Sequence, residues 1–351
     1  MNAPVITALT AYVPPVITLK RWYRIEARLR ATAAPSGWNA WLQSWRAQYD
    51  SLDQSTVALM DRLTTRPGTR PQVDRIPVEQ HVDQSGLAAR VAQAICRGRD
   101  PGSAPIDIVM FCHGSLNEHV STTTAGRLGA LVGAASFPCS VSQQQGASLF
   151  TALQLATDIL TAEPDTRAIL IVAAEKWGPP FSRWIGPGIL HGDAAGAILV
   201  ERHADAVNGL AIIDVASRSL APPPIQPYAG ASLDASWACA LLTMVDDMLR
   251  RHHLCPSDLA AVIGHNVDRR LNDLVYEHLG IPAIGCDRHA YLGAAESIVK
   301  LVDMLYTGAP PPQSRLLVWG VGLSGHLGCA LLATGGTPFL AADLGTRDPS
   351  S

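Results

Sequence analysis

Short, almost continuous apolar runs alternate with stretches of helical period along most of the chain. Pro105–Phe111, Arg167–Ala173, Ala194–Val200, Arg315–Trp319 and Gly328–Ala333 are the apolar runs. Runs of that length predict strands buried on both faces, as in mostly parallel layers covered by helices. Ser85–Arg97, Thr123–Val132, Ala147–Leu160, Ser236–His252, Val267–Leu279 and Gly293–Leu305 place apolar residues at helical spacing and predict helices. Val5–Thr18 reads as a first strand and turn. Phe137–Ser142, Ala261–Gly264 and Ala283–Cys286 read as further strands. Residues 20–66 are rich in Trp and Arg, with helical stretches at Trp38–Tyr49 and Val57–Leu63, and a loop follows at 67–77.

The pattern repeats. Residues 86–115 resemble 241–266: each gives a helix, a polar Pro/Ser turn, an apolar strand, then a small residue beside a His. RAILIVAAEKWG…HGDAAGAILVE resembles RLLVWGVGLSGHLGCALLA in the same way. A repeat of about half the chain implies a duplicated fold, here halves 1–205 and 206–351, with a divergent insertion at about 20–80. Alternating helices and buried strands imply α/β layers, with a site where the halves meet near the strand C-terminal ends.

Composition narrows the class. Hydrophobic residues make up 48 % and charged residues 16 %, which favours a large buried core. A net charge of −3 gives no support for nucleic-acid binding. The seven cysteines are scattered without a CxxC pair, so neither a metal site nor a disulfide framework is expected. No signal peptide or membrane-spanning run is visible, so the expectation is a soluble cytoplasmic protein.

The chemistry centres on SVSQQQGASLFTALQLA, residues 140–156, a predicted strand running into a helix. A helix start points free N–H groups forward and stabilises negative charge, a place where enzymes set a Cys or Ser nucleophile. Here it holds three glutamines and a glycine. Ser142, Ser148 and Cys139 lie nearby but off the helix-start position, and a serine would need an adjacent base. No GxSxG elbow supports a serine hydrolase. GLSGHLG, 322–328, precedes a strand and so does not read as a phosphate loop.

The stretches IDIVMFCHGS, SVSQQQGASLFTALQLA, GDAAGAILVE, AAVIGHN, DRHAYLGAAESIVKLVD and GVGLSGHLGCALL, in this order between residues 86 and 333, resemble the thiolase superfamily and within it the β-ketoacyl-ACP synthase III branch. The resemblance implies a five-layer αβαβα fold, usually dimeric. It also implies condensation or acyl transfer between thioesters of CoA and acyl-carrier protein. CoA or phosphopantetheine would be the substrate carrier, with no permanently bound cofactor. The family's active site is typically Cys, His and Asn, the Cys opening the buried helix and becoming acylated.

Carried over, the resemblance puts the family's His on His265. Counting back seven from Leu153 puts Gly146 where the Cys would stand, and a one-residue slip would put Gln145 there. Tyr291 stands where the Asn is expected. N–H groups of Gly146, Val321 and Gly322 are oxyanion-hole candidates. His191, Trp184 and His289 are substrate-binding candidates, while His113 is the repeat partner of His265. For the tryptophans, simple packing is an equal reading. The expected function is a synthase-III-like acyltransferase or condensing enzyme of bacterial specialised metabolism that works without a Cys acyl-enzyme. Two alternatives stand beside it: a non-catalytic partner subunit of an active paralogue, forming a homo- or heterodimer, and a thioester decarboxylase or hydrolase using Gln145.

Overall fold

The computed structural model describes residues 3–32, 73–115, 123–133, 137–178, 183–186, 189–202, 208–220, 235–281, 290–322 and 325–341. The expected helices at Trp38–Tyr49 and Val57–Leu63, the strand at Ala283–Cys286 and His289 lie outside these residues.

The first half contributes β1 (Val5–Tyr12), β2 (Val16–Thr18), α1 (Leu19–Thr32) and β3 (Arg75–Pro77). It continues with α2 (Gln84–Gly98), β4 (Ile108–His113), α3 (Thr124–Val132) and β5 (Phe137–Ser142). Then come α4 (Ser148–Ala162), β6 (Ala168–Glu175), a short hairpin of β7 (Trp184–Gly186) and β8 (Ile189–Leu190), and β9 (Ala194–Glu201). The remainder is β10 (Leu210–Ser219), α5 (Ala235–Arg251), β11 (Leu259–Ile263), α6 (Arg269–Leu279), α7 (Glu296–Gly308), β12 (Arg315–Gly322), β13 (His326–Thr334) and β14 (Phe339–Leu340).

The strands run in the order β11-β12-β13-β10-β1-β9-β6-β4-β5, with β14 on β1. The duplication is visible in the pairing. In the first set β4 pairs parallel to β6, and β6 antiparallel to β9. In the second set β11 pairs parallel to β12, and β12 antiparallel to β13. The two sets join by a short antiparallel contact of β1 with β10.

Period-two burial builds the layers. On β6, Ile169, Ile171 and Ala173 enter one core cluster, and Ala168, Leu170, Val172 and Ala174 enter another. On β12, Leu316 and Val318 share the first of these clusters, while Leu317, Trp319 and Val321 face a third. The shared cluster also holds Leu149, Phe150, Leu153 and Ala156 of α4 with Ile298, Val299 and Val302 of α7. Helices α2 and α3 cover the first sheet, and α5 and α6 the second. The result is five layers, αβαβα, with α4 and α7 buried between two sheets. Strands buried on both faces must be apolar throughout, which is why the apolar runs were legible.

The helix ends obey local chemistry. Asp83 caps α2 through Gly86 N at 2.7 Å, and Asp268 caps α6 through Arg270 N at 2.8 Å. Gly280 closes α6 in a left-handed conformation, φ 63°. Three elements differ from the sequence expectation. Helix α1 forms where only an irregular Trp- and Arg-rich region was expected. Strand β3 pairs with β2 inside the expected loop 67–77. Strand β10 was not expected, because LAIIDVASRS is half-exposed and breaks the apolar run with Asp214, Ser217, Arg218 and Ser219.

Candidate active site

Strand β5 ends at Ser142, and a single tight turn, Gln145–Ala147, leads into α4. This turn has an internal copy. Gln144 and Gln145 have φ −105° and 48°, and Leu292 and Gly293, before α7, have φ −101° and 58°. The duplicated fold requires a left-handed residue at this step in each half. The second half supplies a glycine, while the first holds Gln145 there, a conformation that costs a non-glycine residue of order 1 kcal/mol or more. Gln143 also has positive φ, 65°.

The residue after the strained glutamine is Gly146, buried at the mouth of α4. A Cβ built there would overlap His265 Cε1 and the Tyr291 hydroxyl, and would lie 2.6 Å from His265 Nδ1. Position 146, and not 145, therefore faces His265 and Tyr291. A Cβ on Gly114 would lie 3.2 Å from Gln145 Cα and Cγ, and one on Gly322 would lie 3.5 Å from Gln145 Cβ. Those contacts put Gln145 beside the ends of β4 and β12.

Four predicted residues converge. Gly146 N–H donates to the Tyr291 hydroxyl at 2.9 Å, and that hydroxyl donates to the Val321 carbonyl at 2.8 Å. Val321 N–H donates to His265 Nδ1 at 3.3 Å. A main-chain N–H can only donate, so Nδ1 is the acceptor and Nε2 carries the proton. Nε2–H then donates to Ser297 Oγ at 2.8 Å. His265 and Ser297 are fully buried, and Tyr291 is 1 % exposed.

The electrostatics match this closed network. Burial, with Lys300 alongside, pushes the His265 imidazole down to about 4 against the pull of Glu296. His265 is thus neutral at physiological pH. Burial, reinforced by Glu296 and Glu175, raises the Tyr291 phenol well above its usual range, so it stays protonated. Glu296 accepts from Asn266 N–H and Leu292 N–H and pairs with Lys300 at 3.0 Å. Burial opposes ionisation of Glu296, but Lys300, His265 and those N–H groups together lower it.

Two predicted oxyanion donors are therefore already bonded within the protein: Gly146 N–H to Tyr291 and Val321 N–H to His265. Gly322 packs against the Gln144 carbonyl, with no room for a side chain. The space expected in place of a thiol is filled by the Tyr291 hydroxyl and the His265 ring. The alternative nucleophiles are tied up or set aside. Ser148 is fully buried and its hydroxyl donates to the Gln145 carbonyl at 2.6 Å. Cys139 lies on β5, its thiol raised by burial. His113 holds the Ser115 carbonyl through Nδ1 at 2.6 Å and stacks on Phe111.

His191 lies on the other side of Tyr291. Gly192 N–H donates to the Tyr291 carbonyl and Tyr291 N–H to the Leu190 carbonyl, each at 2.9 Å, which sets the two side chains together. Their ring centres are 5.0 Å apart, and the His265 and Tyr291 rings are 5.8 Å apart. Trp184 packs with Trp22, Ile76, Leu190 and Ala290, one layer away from the turn.

Sequence reasoning missed three supports. Ser297, one turn into α7, fixes the His265 tautomer. Arg183 and Asp193 form a fully buried two-pronged pair at 2.7 and 2.8 Å, and Asp193 also accepts from Glu79 N–H and Trp177 N–H. Glu175 is fully buried at the end of β6 and accepts from Gly114 N–H at 2.7 Å, Ser115 N–H at 3.0 Å and Ala294 N–H at 3.3 Å. Ala294 is the internal copy of Gly146, so the two helix starts are capped by Glu175 in one half and Tyr291 in the other. Burial raises Glu175 to about 7 despite these donors. A carboxylate closing an otherwise apolar strand, AILIVAAE, was the available signal.

Among the described residues no group of His, Cys, Asp and Glu could hold a metal ion, and no helix is long and apolar enough to cross a membrane.

The fold is that of the synthase-III-type enzymes of the thiolase superfamily. The chain is similar to ChlB3, described as an acyltransferase, at 19 % identity and TM-score 0.70 over 96 % of this chain and 99 % of that one. It is similar to the 3-oxoacyl-(acyl carrier protein) synthase III FabH of Pseudomonas aeruginosa PAO1, at 20 % identity and TM-score 0.66 over 95 % and 99 %. It is also similar to a histidine-to-alanine variant of OleA from Xanthomonas campestris, at 14 % identity and TM-score 0.68 over 94 % and 98 %. No family model matches the chain, and neither does any curated protein.

Proposed function

We propose that the chain handles acyl thioesters of CoA or acyl-carrier protein as a synthase-III-type acyltransferase that forms no acyl-enzyme. The observation that carries this reading is Gly146: a helix-start N–H facing His265, with no side chain to acylate. A thioester carbonyl would displace the Tyr291 hydroxyl from that N–H. Exchanging one neutral hydrogen bond for another is a change of about 1 kcal/mol, well within the reach of substrate binding. The helix start would then stabilise the developing oxyanion, and bound acceptor and thioester would react through positioning. His265, neutral and fixed by Ser297, would act as a hydrogen-bonding group and not as a cation. The assay is turnover of acyl-CoA or acyl-carrier protein with candidate acceptors. His265→Ala should abolish any turnover. Turnover unaffected by that change would overturn the role given to His265.

A second reading has its own observation. Tyr291 already satisfies Gly146 N–H, and β5, the last strand in the sheet order, carries Phe137 at 66 % exposure. An exposed edge strand is a template for pairing with another chain, and β5 leads straight into Gln143–Gln145. On this reading the chain is a companion subunit that pairs through β5 with an active synthase and shapes its site. Turnover only in the presence of such a partner would select it. The decarboxylase reading, which needs Gln145 at the nucleophile position, gains nothing from a geometry in which position 146 faces His265.

A further inference from the structure

His191 is fully buried, and neither ring nitrogen has a hydrogen-bond partner among the described residues. The indole Nε1–H of Trp177 is buried and unpartnered as well. The two rings are stacked, 4.1 Å between centres and 11° between planes. Buried polar atoms left unpaired are rare in folded proteins, and each one asks for an explanation. An apolar ring at 191 would fill the same space without that penalty, so stability alone does not account for the histidine.

The unpaired atoms define what would satisfy them. A neutral imidazole offers one donor and one acceptor, and the indole adds one donor. Two donors and one acceptor are the complement of a single hydroxyl, which has two lone pairs and one proton. A carboxylate fits worse. It cannot donate, and the nearby Arg183 charge is already matched by both oxygens of Asp193. Burial, with Arg183 beside it, holds His191 down to about 3 against the weaker upward pull of the Tyr291 main chain, so it carries no charge to offer an anion. The location is equally specific. His191 touches the face of Tyr291, whose hydroxyl sits on Gly146 N–H. A displaced Tyr291 would open the Gly146 N–H and uncover His191 together.

We infer that His191 and Trp177 form an anchor for a hydroxyl on the acyl chain close to the thioester, which makes the chain selective for hydroxyacyl thioesters. The inference rests on the acyl-thioester reading above and deepens it. The test is equilibrium binding of hexanoyl-CoA and 3-hydroxyhexanoyl-CoA to the wild type, His191→Phe, His191→Asn and Trp177→Phe, with thermal unfolding of each free protein. The wild type should bind the hydroxylated thioester about tenfold more tightly, the scale of one well-satisfied neutral hydrogen-bonding group. His191→Phe should erase that preference while raising the Tm of the free protein, by roughly 2 °C. His191→Asn, which keeps a donor and an acceptor, should retain part of the preference, and Trp177→Phe should lower it. Equal affinity for the two thioesters in the wild type would overturn the inference alone. So would a Tm that falls in His191→Phe, or a loss in that variant shared equally by both thioesters. Binding of neither thioester would sink the acyl-thioester reading itself, and the inference with it.

Discussion

Gly146→Ala inverts the usual sign of a glycine replacement. At an unobstructed site in the first turn of a helix, alanine stabilises by about 0.4–1 kcal/mol. Here the new methyl would overlap His265 Cε1 and the Tyr291 hydroxyl. Neither neighbour is a loose surface chain. The hydroxyl is held between Gly146 N–H and the Val321 carbonyl, and the imidazole between Ser297 and Val321 N–H. Relief requires breaking one or two buried hydrogen bonds, at about 1 kcal/mol each, on top of about 1–3 kcal/mol for overpacking a dense core. The expected loss is about 2–5 kcal/mol. Denaturant unfolding followed by the fluorescence of the eight tryptophans measures it. Because the clash is shared with Tyr291, the same substitution in a Tyr291→Ala background should cost at least about 1 kcal/mol less, a coupling typical of residues in contact. A Gly146→Ala protein as stable as the wild type, or more stable, would refute the packed arrangement of Gly146, His265 and Tyr291.

Asp193→Asn should destabilise by about 3–5 kcal/mol, since it strands the buried Arg183 guanidinium, and a shift in denaturation midpoint checks this. Glu175 gives a pH signature. Its folded value is raised from 4.5 to about 7. The folded state therefore holds a proton that the unfolded state has lost, and this stabilisation declines as pH rises from about 4.5 through 7. Glu175→Gln should remove that component from a plot of unfolding free energy against pH. His265 and His191 act in the opposite sense. Each is depressed from 6.5, to about 4 and about 3 respectively, so stability present above pH 6.5 is lost as pH falls through those values.

Much of this architecture was legible because strands buried on both faces leave no choice of residue type. AILIVAAE and RLLVWGVG declare themselves, and the internal copies of helix, turn and strand declare the duplication. The position of Gly146 opposite His265 followed from spacing in the same way. What spacing does not carry is the direction of a side chain. Tyr291 reads equally as a replacement donor or an obstruction, and only the three-dimensional arrangement shows its hydroxyl on Gly146 N–H. Ser297 and Glu175 escaped notice because each is a single polar residue at the edge of an apolar run. The Arg183–Asp193 pair escaped because its halves lie in loops flanking the small hairpin β7–β8. Strand β10 was missed because its outer half is exposed and polar.

The central claim is that no acyl group is ever attached to this protein during its reaction. Intact-protein mass spectrometry during incubation with acyl-CoA and acyl-carrier-protein thioesters, with thioester consumption followed in the same sample, tests it most directly. The account predicts thioester consumption with an unchanged protein mass at every time point. A mass increase equal to one acyl group, mapped to Ser142, Ser148, Cys139 or any other side chain, would contradict it.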